Sequence, residues 1–483
     1  MCSLAARLAP MIRIDALWLS TEPLDMRAGT ETALARVVAV FGAARPHHAY
    51  LFANRRANRM KVLVHDGIGV WLAARRLNSG KFVWPRDAAT TATLSRTQFD
   101  ALVLGLPWKN VGEDVAEKLD YVPGVFTVER HIRGKWACAQ CQTLIQVPVA
   151  PHVIDKGIPT TGLLAQVLVA KYDDRLPLYR QEAIFGRAGL AIPRSTLAQW
   201  VGSCGVQLQP LVDAMRNELL LHRVLHADET PVSMLKPGNG KTHRAYLWAY
   251  ATGAFENTRA VVYDFCESRA GEHARTFLGY WKGSLVCDDF SGYKALLAAG
   301  VTEVGCLAHA RRKFFDLHAA NQSQIAQSAL EQLARIYEIE RETKEFSAEE
   351  RMDVRRERTK PLLDALHEWM TLQRRKVPDG STTAKALDYS LKRWAALIRF
   401  ADDGQLPVDN NWIENQIRPI AIGRNNWLFA GSLRAGKRAA AVMSLIQSAR
   451  MNGHDPYAYL SDVLARLPTQ KSNKIDELLP HRW

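Results

Sequence analysis

Between Arg223 and Phe290 the chain carries RVLHADET, RAYLWAYATG and RAVVYDF, then the helix-like GEHARTFLGYW, then GSLVCDDF. Short runs of β-branched and aromatic residues, separated by Gly, Asn and Arg clusters, read as strands. Three consecutive strands, a helix and a fourth strand leave few topologies open. Any function for this chain has to be built on the sheet that those runs form.

That element order opens a ribonuclease-H-like fold, in which the first and fourth strands lie side by side. Asp228 is expected to close the first strand and Asp288 the fourth, so both carboxylates would emerge at one end of the sheet. Glu414 sits in DNNWIENQIRP, a predicted helix opening after Asp409 and Asn410 as capping residues. Asp289 is an alternative to Asp288, and the alternation of Leu285 to Asp288 does not decide between them. Carboxylates at strand and helix ends suit two hard divalent ions, Mg2+ or Mn2+, which clamp the attacking and leaving oxygens of a phosphoryl transfer.

Cys306 and His309, in GCLAHARRKFFD, follow the expected fifth strand. They could shape the active site or steady a strand-to-helix turn. Arg311, Arg312 and Lys313 come next, as phosphate contacts or as a solvated basic face. Arg418 and Arg424 line the approach to a last helix. The segment 321–404 is charged and helical in its spacing, an expected insertion that packs on itself and could touch DNA or a second subunit.

Upstream, LPLYRQEAIFGRAGLAIPRSTLAQWVG is expected to form two helices around a turn. Ile184, Ala188 and Leu190 take the packing positions, Gly189 the turn, and Ser195 opens a second helix carrying Leu197 and Trp200. Arg187 and Arg194 would be its first DNA contacts; a plain helical hairpin is the other reading. Residues 11–108 suggest a small basic α/β domain, in which Arg55, Arg56, Arg59, Lys61, Arg75, Arg76 and Lys81 could track a phosphate backbone while Phe82 and Trp84 stack on bases. A solvated basic face over an ordinary core is equally compatible.

The net charge of +14 and pI of about 9.5 favour a polyanionic partner, nucleic acid first. No run approaches a membrane span, and Met1 to Pro10 is too weakly apolar for a secretory signal. Seven scattered cysteines argue against a disulfide framework. A cytoplasmic, nucleoid-associated protein is expected. Cys138 and Cys141 form a single Cys-x-x-Cys, half of the usual zinc ligand set, which His131 or His152 could complete. The loop KPGNGKT lacks the first glycine of a phosphate-binding loop, Leu235 standing in its place, and is expected to be a hairpin connection.

LHADETPV, VCDDFSGYKAL, CLAHARRKFFD, VDNNWIENQIRPIAIGRNNWLFAGS and SLIQSARMNGHDPYAYL resemble, in order, the motif blocks of the insertion-sequence-66 family of DDE transposases. The resemblance implies that Asp228, Asp288 and Glu414 are the catalytic triad, with Asp288 rather than Asp289. Cys306 and His309 match that family's Cys-x-x-His. The implied partners are DNA, as element ends and target, a second copy of the chain, and other proteins of the same element. Met11 to about Trp108 looks like the separate small accessory protein of such elements, as if fused in frame. A leucine-rich coiled helix and a first cysteine pair, which would normally precede the transposase-like part, are missing. The expected division is 11–108, accessory-like; 109–157, truncated zinc-binding-like; 158–222, helix-turn-helix-like; 223–320 and 405–452, the two parts of the core; 321–404, the insertion; and 453–483, a C-terminal element.

Overall fold

The computed structural model describes residues 13–85, 90–106, 124–131, 133, 135–137, 144–146, 148–155, 157–236, 238 and 240–483. They fall into two compact units, Met1–Val122 and Pro123–Trp483. Both are mixed α/β.

The first unit runs β1 (Ala16–Ser20), α1 (Thr30–Phe41), β2 (His48–Ala53), β3 (Arg59–His65), β4 (Val70–Arg76), β5 (Thr91–Leu94) and α2 (Arg96–Leu104). Its sheet has the order β4-β3-β2-β1-β5, with β1 parallel to β2 and the other pairs antiparallel. Side chains alternate across a strand, so β2 feeds two cores. Tyr50 and Phe52 pack with Ala33 and Val37 of α1, whereas Ala49 and Leu51 pack with Phe99, Leu102 and Val103 of α2. Each large side chain so buried contributes about 1.5–3 kcal/mol.

Part of the expected nucleic-acid surface of this unit is corrected. Arg55, Arg56, Arg59, Arg76 and Lys81 are exposed and Arg75 half-buried. Lys61, however, is buried, with Nζ donating to the Ala28 carbonyl. Phe82 belongs to the core, and Trp84 donates from Nε1 to the Ser20 carbonyl at 2.8 Å. The Phe82 ring, fixed inside a core, has no face to offer a base, whereas Trp84 is half-buried and held by its indole N–H.

The second unit begins with a hairpin, β6 (Lys135–Ala137) and β7 (Leu144–Gln146); Cys138 and Cys141 lie outside the described residues. Four helices follow: α3 (Thr161–Tyr172), α4 (Leu178–Arg187), α5 (Arg194–Gln207) and α6 (Gln209–Leu219). The α4–α5 pair differs from its expected packing. Ile184, Ala188 and Leu190 are exposed, while Gln181 and Phe185 are buried, because the face of α4 that meets α3 is rotated away from those positions. Gly189 does hold the turn, at φ +85°. The helix after it starts one residue before Ser195, with Pro193 at the cap position, and Leu197 is fully buried.

Then come β8 (Val224–Met234), β9 (His243–Thr252), β10 (Val261–Cys266), α7 (Gly271–Leu278), β11 (Ser284–Cys287), α8 (Lys294–Ala298), β12 (Thr302–Gly305) and α9 (Leu307–Asn321). The sheet order is β10-β9-β8-β11-β12; β8, β9 and β10 are antiparallel, and β11 is parallel to both β8 and β12. The first and fourth strands are therefore neighbours. KPGNGKT joins antiparallel β8 to β9.

A group of helices follows, α10 (Gln324–Glu342), α11 (Ala348–Val354), a π turn (Arg355–Thr359), α12 (Lys360–Lys376), α13 (Thr382–Lys392) and α14 (Trp394–Leu397). These helices do more than pack on themselves. Leu333, Ile336, Leu363, Leu366 and Leu387 share one core with Val224, Val286 and Val304 of the sheet. Fully buried Arg355 donates to the carbonyls of Phe400, Asp403 and Leu406 and to Glu340. The chain closes with α15 (Asn411–Trp427), α16 (Leu433–Met451) and α17 (Pro456–Arg466). Helix α16 covers edge strand β10: Ser444 and Ser448 accept from the backbone N–H of Tyr263 and Val261, which satisfies an otherwise open edge. The approach is so close that a Cβ at Gly436 would lie 2.2 Å from the Phe265 ring. Among the described residues no helix is long and apolar enough to cross a membrane.

Candidate active site

Alternation along β8 decides which carboxylate faces where. Leu225 and Ala227 belong to the core beneath α3, α5 and α6, while Val224 lies in the core of the opposite face. His226 and Asp228 share the side of Val224; Glu229 shares that of Leu225. Strand β8 continues to Met234, so Asp228 sits mid-strand and does not close it as expected. It stands instead just past the last residue paired with β11, since His226 pairs with Val286.

Asp288 follows the last residue of β11, two positions beyond Val286, and so continues the register that brings it level with Asp228. Val286 faces the Val224 side, and Asp288 continues that alternation. Phe290 N donates to Asp288 Oδ1 at 3.0 Å. The neighbouring Asp289 is more than half exposed and lies 3.4 Å from Arg393 Nε. The two adjacent acids are thus parted.

Glu414 lies in the first turn of α15, whose Ile413, Ile417 and Ile420 pack on β8, β9 and β10. Asn410 is at the cap position, yet its side chain does not cap the helix. Its Nδ2 donates to the Ala227 carbonyl at 2.9 Å and its Oδ1 accepts from His226 Nδ1 at 2.7 Å. Its backbone N donates to Cys306 Sγ at 3.2 Å. Asp409 does the turn-forming work, accepting from Asn411 N at 3.0 Å and from Tyr337 Oη at 3.0 Å. A fully buried Asn410 therefore fastens the helix of Glu414 to the strand of Asp228.

Burial pushes the Asp228 carboxyl up to about 8, and the charges of Glu229, Asp288 and Glu414 act in the same direction against the hydrogen bond from Glu229 N. Asp228, Asp288 and Glu414 are each half-buried, and Asp228 feels the charges of the other two. Glu229, absent from the sequence reading, is almost fully buried beside Asp228. Tyr293 Oη donates to it at 3.1 Å, and Arg269 Nε at 2.6 Å; the guanidinium also lies over the Phe290 ring at 4.0 Å. Burial raises the Glu229 carboxyl, with Arg269 opposing. The same burial holds His226 down to about 4, so its ring is neutral and donates from Nδ1 to Asn410.

The donor set fits a divalent cation. Glu414 Oε1 is buried and has no hydrogen-bond partner, and Asp228 is half-buried among like charges. Among the described residues, however, the one group of three or more potential ligands whose atoms all lie within 4.8 Å of one another is Cys306, His309 and Glu414. Asp228, Asp288 and Glu414 stand further apart than that. Cys306 caps α9 and His309 lies in its first turn, where both meet the start of α15.

The expected DNA contacts divide. Arg187 and Arg194 are exposed at the end of α4 and the start of α5. Arg311, Arg312 and Lys313 are exposed on α9, with Arg312 Nη2 3.9 Å from Glu414 Oε2. Arg418 is exposed. Arg424 is half-buried, and its Nη1 donates to the Pro231 carbonyl of β8 at 2.8 Å.

Four family models match the chain. The one described as Transposase IS66 family covers residues 156–438, and the IS66 C-terminal element covers 444–481. The model described as IS66 Orf2 like protein covers 15–113, and the zinc-finger binding domain of transposase IS66 covers 105–142, which includes Cys138 and Cys141. Among curated relatives, the uncharacterized protein y4qI of Sinorhizobium fredii is 38% identical over 78% of this chain and 72% of its own length. Protein y4hP of the same organism is 35% identical over 77% and 71%. The much shorter overlap with y4hO, also from that organism, is 31% identical over 20% of this chain but 85% of that relative.

Proposed function

Because the chain belongs to the IS66 transposase family, we propose that it cuts and joins DNA at the terminal inverted repeats of an insertion sequence, with Asp228, Asp288 and Glu414 as its catalytic acids. The observation that carries this reading is geometric: strand register puts Asp228 and Asp288 level on one face of the sheet, the face on which α15 presents Glu414. The strand order, with β11 parallel beside β8, supports a ribonuclease-H-like core in two parts, 223–320 and 405–452, around the helices of 321–404.

Two magnesium or manganese ions held by the three acids would stabilise charge on the attacking and leaving oxygens of an in-line displacement. The chain's own residues do the positioning. Asp228 is held by strand pairing on β8, Asp288 by the turn after β11, and Glu414 through Asn410. Water oxygen attacks a phosphorus at the element end and the 3′-oxygen departs; the freed 3′-hydroxyl then attacks a target phosphorus and displaces that strand's 3′-oxygen. Arg311, Arg312 and Lys313, exposed on α9 beside Glu414, are placed to neutralise the phosphates flanking the scissile bond. Arg187, Arg194 and Arg418, also exposed on this unit, are further DNA contacts in this reading, with Cys138 and Cys141, inside the match to the zinc-finger binding domain, as candidate zinc ligands. The working form is a homo-oligomer assembled on DNA.

A strand-transfer assay tests this, using labelled element ends, Mg2+ or Mn2+, and wild type against Glu414→Ala. Joined product from wild type, lost in the variant while end binding persists, is the expected result. Product that survives in Glu414→Ala overturns the triad. End binding with no product from either protein would replace the reading with that of a repressor occupying the element ends.

A further inference from the structure

Where α9 and α15 begin, three side chains of different chemistry converge. His309 Nδ1 and Glu414 Oε1 are 3.7 Å apart, just too far for a hydrogen bond, and both atoms are buried without a hydrogen-bond partner. Cys306 Sγ, fully buried, completes the group, with all three ligand atoms within 4.8 Å of one another. Buried polar atoms without partners are costly and rare. Two that point at each other across a gap, beside a thiol, describe a place prepared for an atom that accepts lone pairs.

The surroundings favour a cation bound by anionic ligands. Cys306 is at the cap of α9 and Glu414 in the first turn of α15, where helix N-termini favour negative charge; burial holds the Cys306 thiol up, and a bound cation would oppose that. Asn410 N donates to Cys306 Sγ at 3.2 Å, the kind of contact that fixes and tunes a ligand sulfur. Asn410 is itself held by His226 and Ala227, so the donors are presented by a rigid frame. Glu414 uses only Oε1 here; Oε2 faces Arg312.

The geometry points to a second metal site, in which Cys306 Sγ, His309 Nδ1 and Glu414 Oε1 bind a zinc-type divalent ion with a fourth position open to water. Sulfur, nitrogen and oxygen donors together select a borderline ion such as zinc or cobalt over magnesium, which prefers oxygen alone. The site shares Glu414 with the proposed triad but does not rest on it. An ion there would lock the starts of α9 and α15 together and fix the rotamer of Glu414.

Cobalt binding tests this without any DNA chemistry. The full chain carrying Cys138→Ser and Cys141→Ser, which removes the other cysteine pair, is titrated with Co2+ in excess Mg2+ and followed by near-ultraviolet thiolate-to-cobalt absorption. The expected result is a stoichiometric band that Mg2+ does not displace, that disappears in Cys306→Ser, and whose affinity falls at least about tenfold in His309→Gln. No band in the parent chain, or a band unaffected by Cys306→Ser, overturns the site. Should Cys306→Ser fail to fold, His309→Gln decides: unchanged cobalt affinity overturns the site, and weakened binding supports it.

Discussion

Asn410 Oδ1 accepts a 2.7 Å hydrogen bond from the Nδ1–H of His226, a residue 184 positions earlier in the chain. Both side chains are fully buried, and Asn410 also holds the Ala227 carbonyl. One amide thus ties the strand bearing Asp228 to the helix bearing Glu414.

Asn410→Ala should therefore remove two buried hydrogen bonds and leave His226 and the Ala227 carbonyl without those partners. We expect a loss of about 2–4 kcal/mol, read from denaturant unfolding. A cost below the uncertainty of that measurement would mean that water replaces the amide.

Arg269→Ala should strand the buried Glu229 carboxylate, which keeps only Tyr293. Since Arg269 is itself partly exposed, the expected cost is about 1–3 kcal/mol. The double variant Glu229→Gln with Arg269→Ala should recover most of it. A double-mutant cycle that shows strict additivity would exclude the pair as a coupled unit.

Asp288→Asn and Asp289→Asn should differ sharply despite being adjacent. Asp288 faces Asp228, whereas Asp289 faces Arg393. Joined product should fall by several orders of magnitude in the first variant and modestly in the second. Equal losses would sink the assignment.

The basic residues should sort by what they hold. Arg311→Ala and Lys313→Ala are expected to weaken DNA binding and flatten the slope of log affinity against log salt by about 0.9 for each phosphate contact removed. Arg424→Ala should act on stability instead, since its guanidinium holds the Pro231 carbonyl. Filter binding over a salt series distinguishes the two behaviours.

His481, nearly buried, has neither ring nitrogen hydrogen-bonded, and burial lowers its pKa; Glu218 opposes, while Arg482 and His222 add to the lowering. The unfolded chain therefore binds the proton more readily. The stability this group contributes is present above the ordinary histidine value of about 6.5 and lost as pH falls through and below it. Unfolding free energies measured across that range should fall toward acid in wild type and fall less in His481→Gln.

Much of the sheet was legible because β8 to β11 are local patterns: alternation and turn residues announce strands wherever they pair. Asp288 followed from its strand end. Asp228 was expected to close its strand, whereas β8 runs on through it to Met234, held by its pairing with β9. Glu229 was missed, since its partners Arg269 and Tyr293 are distant in sequence and only the fold brings them together. Asn410 seemed a helix cap because Asn is a good one; nothing local says that its amide is taken by His226. In the same way Lys61 and Phe82, which one of two equal readings put on a basic, aromatic surface, are turned inward by the sheet of their own unit. The packing face of α4 failed for a related reason: spacing gives a helix its period but not the phase at which α3 meets it.

Val224, Val286 and Val304 are covered by helices that the ribosome makes only later. Both aspartates leave the exit tunnel on strands whose outer face is still bare, and Glu414 emerges after the whole covering layer. A chain released before Asn410 would lack an acid, the amide that seats it and the contacts of α15 with β8. Premature termination or proteolytic loss of the C-terminal part should therefore yield an aggregation-prone fragment rather than a trimmed enzyme, which makes completion of synthesis itself a checkpoint on activity.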